Sequence, residues 1–171
     1  MIRKDSANAE RKMTMADIEK AKDVFEVFKN YLTDKDIHFE ADDSSLMIRL
    51  VVQGEDLPQP TFIRVLPEKE VVMISSPIPS NIPEEKRMDA AIAVVSANYG
   101  MINGCFDLDM SDGEIHYRCA QGYMGTDFSD ELAAYMLRMV FLITDEYNDK
   151  FFLLGKGLLS LEDFLEKTKR S

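Results

Sequence analysis

The stretch FDLDMSDGEIHYRC, Phe106 to Cys119, decides how this chain folds. Apolar and polar side chains alternate on both sides of Asp112-Gly113, the period of a half-buried strand pair. An Asp-Gly pair suits a two-residue type I′ turn, where both central residues need positive φ. With Ser111 paired to Glu114, counting outward puts Phe106, Leu108, Met110, Ile115, Tyr117 and Cys119 on one face. Asp107, Asp109, Glu114, His116 and Arg118 fall on the other, with Asp109 opposite His116 and Asp107 opposite Arg118. Such separation belongs to an antiparallel sheet with one dry and one wet face.

The same period recurs upstream. Ile37, Phe39 and Ala41 alternate with His38 and Glu40; Leu46, Ile48, Leu50 and Val52 alternate with Met47, Arg49, Val51 and Gln53. Pro58 and Pro60 break the pattern, so a third strand is expected over Thr61 to Leu66 and a fourth over Val71 to Ser75. Turns this short imply an antiparallel meander, because parallel neighbours need long crossovers. Helical spacing surrounds the strands. Ile18, Ala21, Val24, Phe25, Phe28 and Leu32 form one stripe over Ala16 to Leu32, with Thr14 and Asp17 placed as a cap. A second helix starts at Asn81 and Pro83, and its expected core stripe is Met88, Ala91, Ile92, Val95 and Tyr99. A third spans about Ser129 to Lys150, with Leu132, Tyr135, Met136, Met139, Val140, Ile143 and Tyr147 facing the core. Ser160 and Asp163 cap a short final helix containing Leu161, Phe164 and Leu165. The result is an α+β chain in the order helix, three to four strands, helix, hairpin, long helix. It divides into a flexible arm over 1–15, one domain over 16–155 and a C-terminal helix over 156–171.

Composition bounds the function. At 171 residues, with 46% apolar and 30% charged side chains, the chain can bury a sizeable core without disulfides or metal. A net charge of −11 opposes nucleic acid, and no basic cluster offsets it. The start has no apolar run after its basic residues, which excludes a secretory signal. Leu132 to Thr144 is the most apolar stretch, but Arg138 interrupts it and it is too short for a membrane span. Two cysteines, Cys105 and Cys119, do not make a disulfide framework. These readings imply a cytoplasmic protein with neither membrane nor nucleic acid as partner.

Candidate chemistry is sparse. The hairpin's wet face gathers Asp107, Asp109, Glu114 and His116, a donor set for a metal or for acid–base work. Cross-strand charge pairing explains the same residues, and Arg118 among them opposes a metal. Cys119 falls on the apolar face, and nothing in the sequence activates Cys105. No nucleophile motif and no phosphate-binding glycine loop is present, so neither an enzyme nor a cofactor is expected. What remains is hydrophobic. Leu137 and Phe141 lie off the core stripe, and the tail Phe151-Phe152-Leu153-Leu154 is unusually apolar. Eleven methionines add adaptable contact surface. Leu137, Phe141, Phe151 and Phe152 are therefore candidate partner-binding residues, unless the tail folds back on its own domain.

Asn98 and Tyr99, then Asn103-Gly104-Cys105-Phe106-Asp107-Leu108-Asp109, the turn Ser111-Asp112-Gly113-Glu114 and the strand Ile115-His116-Tyr117-Arg118 together resemble the YbjN domain family. Asp145, Glu146 and Tyr147 match the family's usual ending. This family is assigned to bacterial sensory-transduction regulation and has the type III secretion chaperone-like fold. The resemblance covers about Ala16 to Leu154. It implies an antiparallel sheet with helices on one face, a homodimer, and no catalytic residues. The expectation is a non-enzymatic protein-binding module, chaperone-like or regulatory, that binds a protein partner or itself. The alternatives are a metal- or small-ligand sensor on the wet face of the 106–119 hairpin, and a purely structural homodimer.

Overall fold

The computed structural model describes residues 14–125 and 127–169, and the expected arm over 1–15 lies almost wholly outside them. Among the described residues are six strands and four α-helices. Helix α1, Met15–Asp34, opens with the expected capping box: Thr14 Oγ1 accepts from Asp17 N at 3.2 Å, and Asp17 Oδ2 accepts from Thr14 N at 2.8 Å. Its stripe of Ala21, Val24, Phe25, Phe28 and Leu32 is buried.

Strands β1 (Phe39–Asp42), β2 (Met47–Gln53), β3 (Pro58–Leu66) and β4 (Val71–Pro77) form the meander, and β5 (Cys105–Leu108) and β6 (Ile115–Gly122) form the hairpin. All pair antiparallel in the order β1-β2-β3-β4-β6-β5. Contrary to expectation, Pro58 and Pro60 lie inside β3. The β3–β4 ladder begins only at Phe62 opposite Ser75, so no bond toward β4 is required of the prolines. Ser76 Oγ donates to the Pro60 carbonyl at 2.9 Å and fills that gap.

The inner face of the sheet carries Ile48, Leu50, Ile63, Val65, Val72, Ile74, Phe106, Ile115, Tyr117 and Cys119. It packs on α1 and on α3, Asp130–Gly155, which runs five residues past its expected end. Phe106 is the centre of an aromatic cluster, with ring centroids 5.2 Å from Tyr117, 5.2 Å from Tyr147 and 5.0 Å from Phe151. Phe151 in turn stacks at 5.0 Å on Phe164 of α4, Leu161–Lys167. The tail thus folds back on its own domain, with Ser160 Oγ accepting from Asp163 N at 3.0 Å to start α4.

Three expectations change in detail. The hairpin closes at Asp109 and Glu114, with Asp109 N donating to Glu114 O at 2.9 Å and Gly113 N to Asp109 O at 2.8 Å. Its loop is therefore Met110 to Gly113, and Gly113 alone of those residues has positive φ, 83°. Side chains favour the longer loop: Asp109 Oδ1 accepts from Ser111 N at 2.7 Å, and Asp112 Oδ1 from Glu114 N at 2.9 Å. The register moves by two residues, so the faces survive while the partners change. Asp107 now lies opposite His116, and Cys105 opposite Arg118.

Helix α2, Arg87–Asn98, buries Ala90, Ala93, Val94 and Ala97 in place of Met88, Ala91, Ile92, Val95 and Tyr99. Small side chains let it approach β5 closely. There Asn98 Oδ1 accepts from Phe106 N at 2.7 Å, and Asn98 Nδ2 donates to Phe106 O at 2.9 Å. One side chain thus occupies the free edge of the sheet in the manner of a missing strand.

Along α3 the buried set is Ala133, Met136, Leu137, Val140, Thr144, Tyr147, Asn148, Phe151 and Leu154, whereas Leu132, Tyr135, Met139 and Ile143 are half-buried. Thr144 Oγ1 is buried without a hydrogen-bond partner among the described residues. Thr144→Val removes that hydroxyl at constant shape, so it should stabilise the chain by about 1 kcal/mol in urea unfolding. A loss of that size would mean the hydroxyl is satisfied in solution.

Candidate functional site

The hairpin's wet face is committed to internal pairing. Arg118 Nε lies 2.6 Å from Asp107 Oδ2, Arg118 Nη2 3.3 Å from Asp107 Oδ1, and His116 Nε2 3.4 Å from Asp107 Oδ2. Burial alone would raise the Asp107 pKa, but hydrogen bonds and charge from Arg118, with His116, hold it below the usual carboxylate value. Asp109 is held low by Ser111. No group of three or more His, Cys, Asp or Glu among the described residues is placed to hold a metal. Burial, and then Asp107, raise the Cys105 thiol despite Arg118 beside it; burial also raises Cys119. Neither is poised as a nucleophile.

A depressed carboxyl pKa stabilises the folded state above its unfolded value of about 3.9, and the contribution disappears as pH falls through the folded value. Arg118→Met should therefore lower the melting temperature near pH 6, with the gap to wild type narrowing below about pH 4. A gap that stays constant through acid would assign the loss to packing instead.

Of the four candidate contact residues, Leu137 and Phe151 are fully buried in the core. Phe141 and Phe152 are half-buried. A large exposed apolar surface lies elsewhere, on Met88, Ile92, Val95 and Tyr99, whose spacing predicts core, and on Ile102 beyond them. Met88 is 68%, Ile92 49%, Val95 72%, Tyr99 87% and Ile102 95% exposed. Met88, Ile92 and Val95, at intervals of four and three residues, share one side of α2, and Tyr99 at its C-cap and Ile102 follow in the turn beyond it. A groove of about 320 Å³ between Met101, Ile102, Tyr135, Met139 and Ile143 continues the surface toward α3. The sequence did carry a signal for it. From Ala90 to Phe106 no residue is charged, in a chain 30% charged. Alanines on one side of α2 and large side chains on the other mark which side meets its own domain.

No family model matches the chain, and no curated protein matches it by sequence. Solved structures do match. YbjN from E. coli, a proposed transcription regulator, superposes with a TM-score of 0.55 at 14% identity, over 74% of this chain and 92% of its own. A chain of the HopA1–SchA chaperone–effector complex superposes with a TM-score of 0.53 at 10% identity, over 81% of this chain and 96% of its own. Identities this low establish likeness of fold, and the fold is the α+β, type III secretion chaperone-like architecture.

Proposed function

We propose that this chain is a non-enzymatic protein-binding module, chaperone-like or regulatory, that pairs with a second copy of itself through α2. The observation that carries the proposal is the exposed, uncharged stripe from Met88 to Ile102. Contiguous apolar patches beyond a few hundred Å² mark interaction sites. Five large side chains supply on the order of 600 Å² per copy, close to the roughly 800 Å² per partner of a standard interface.

Charge favours self-pairing over other uses. Two copies of a chain with net charge −11 repel, and a stripe without ionised groups is where they approach at least cost. An apolar stripe is also self-complementary, as a two-fold interface requires. The neighbours support the wider reading: one belongs to a chaperone–effector complex and the other is a proposed regulator, and binding serves both roles.

Light scattering over a dilution series tests the pairing. The expected mass is twice the 19.5 kDa of one chain, falling toward the monomer only on dilution. A monomer mass at all concentrations would leave the stripe without this occupant.

A further inference from the structure

The sheet has a second face, which no helix of the described residues covers. α1 and α3 pack on the side that holds Ile48, Ile63 and Ile74, and alternation sends the intervening residues the other way. On that other side Val51 lies opposite Pro60, Arg49 opposite Phe62, and Arg64 between Met47 and Met73. An apolar diagonal therefore crosses β2, β3 and β4 from Val51 through Pro60 and Phe62 to Met73. A hollow of about 350 Å³ opens at its β1 end between Phe39, Arg49, Val51 and Phe62.

Arginines flank this diagonal. Arg118 is paired with Asp107, but Arg49 and Arg64 are exposed and make no ion pair among the described residues. Glu40 sits opposite Arg49 in the register without an ion pair to it. In a chain with 31 acidic and 20 basic residues, two free guanidinium groups border the apolar track directly, while the carboxylates Glu40 and Asp42 of this face lie outside them on β1. At physiological ionic strength fields are screened within about 8 Å, so these bordering charges govern a docked partner more than the net charge does.

We propose that this face docks an acidic amphipathic helix of a partner protein. Its apolar stripe lies along Val51, Pro60, Phe62 and Met73, and its flanking carboxylates meet Arg49 and Arg64. Sheets bury exposed apolar faces under helices, and guanidinium groups take carboxylates in paired hydrogen bonds. A second copy docking by this same face would bring a sheet rather than a helix, and two further arginines. Residues 1–13, with Arg3, Lys4, Arg11 and Lys12 against Asp5 and Glu10, also lack the right sign. The inference rests on the protein-binding reading but not on pairing through α2.

The test is fluorescence anisotropy of the full chain with a labelled helical peptide carrying leucine on one side and glutamate on its flanks. The same peptide with lysine for glutamate and an oligothymidylate of equal length are run beside it. The glutamate peptide should bind at least tenfold more tightly than either, and at least tenfold more weakly to the double variant Arg49→Gln, Arg64→Gln. Val51→Ser should weaken it as well, and both variants should keep the wild-type circular dichroism. Equal or tighter binding of the lysine peptide or of the oligonucleotide, or glutamate-peptide binding indifferent to the two arginines, would overturn the proposal. Loss of self-association with glutamate-peptide binding retained would count against α2 pairing alone. Self-association retained with no peptide binding would count against this face alone.

Discussion

Val95→Asp should weaken self-association by roughly 100-fold or more while leaving the melting temperature within a few degrees of wild type. Val95 is mostly exposed on α2, so in the isolated chain the new carboxylate stays in water, and surface changes of this kind cost within about 0.5 kcal/mol. Across a two-fold interface it enters twice, once from each copy. An uncompensated charge buried in an interface costs about 3–5 kcal/mol, and each 1.4 kcal/mol is a factor of ten in affinity. Sedimentation velocity of wild type and variant at matched concentrations reads the change, and circular dichroism confirms that the variant is folded. Met88→Asp, nearer the end of the stripe, should have a smaller effect because the rim of an interface stays wetter than its centre.

Phe151→Ala should have the opposite profile and destabilise the fold by about 3–5 kcal/mol, the usual cost of removing a fully buried aromatic side chain. Phe151 joins three parts of the chain, packing on Phe106 of the hairpin, Tyr147 of its own helix and Phe164 of α4. Its loss leaves a cavity that the sheet and both helices cannot all close, and α4 loses the ring that holds it to α3. Urea unfolding gives the number. Should Phe151→Ala instead keep its stability and lose only self-association, the tail would belong to an interface and the core assignment would fail.

These two residues illustrate what the sequence does and does not disclose. Periodicity reports that a residue is apolar on one side of an element, without reporting what that side meets. On α1 only one side is apolar, and the stripe from Ala21 to Leu32 is legible along with its Thr14–Asp17 cap. The hairpin faces are legible for the same reason, although their register is not. A shift of two residues preserves every face, and Asp109, Ser111 and Asp112 choose the longer loop through hydrogen bonds that alternation cannot register. On α2 both sides are apolar, and side-chain size points to the wrong one. The alanines go inward because Asn98 must reach the β5 backbone, a need visible only once the edge of the sheet is located. On α3 the buried arc is wide because sheet, α1 and α4 all border it, so Leu137 lies inside rather than at its margin. The exposed apolar side of α2 is therefore marked in the sequence by the charge-free segment from Ala90 to Phe106, although spacing alone predicts core there.

Footprinting by carbene labelling of the wild-type chain at high and low concentration, read at Met88, Val95, Tyr99 and Ile102, tests the central claim most directly. Pairing through α2 predicts strong labelling of these residues in dilute solution and suppression at high concentration, with Val51 and Phe62 on the opposite face of the sheet unchanged. Labelling of the α2 stripe that stays equally strong at both concentrations, with light scattering reporting a dimer, would place the interface elsewhere and contradict the account.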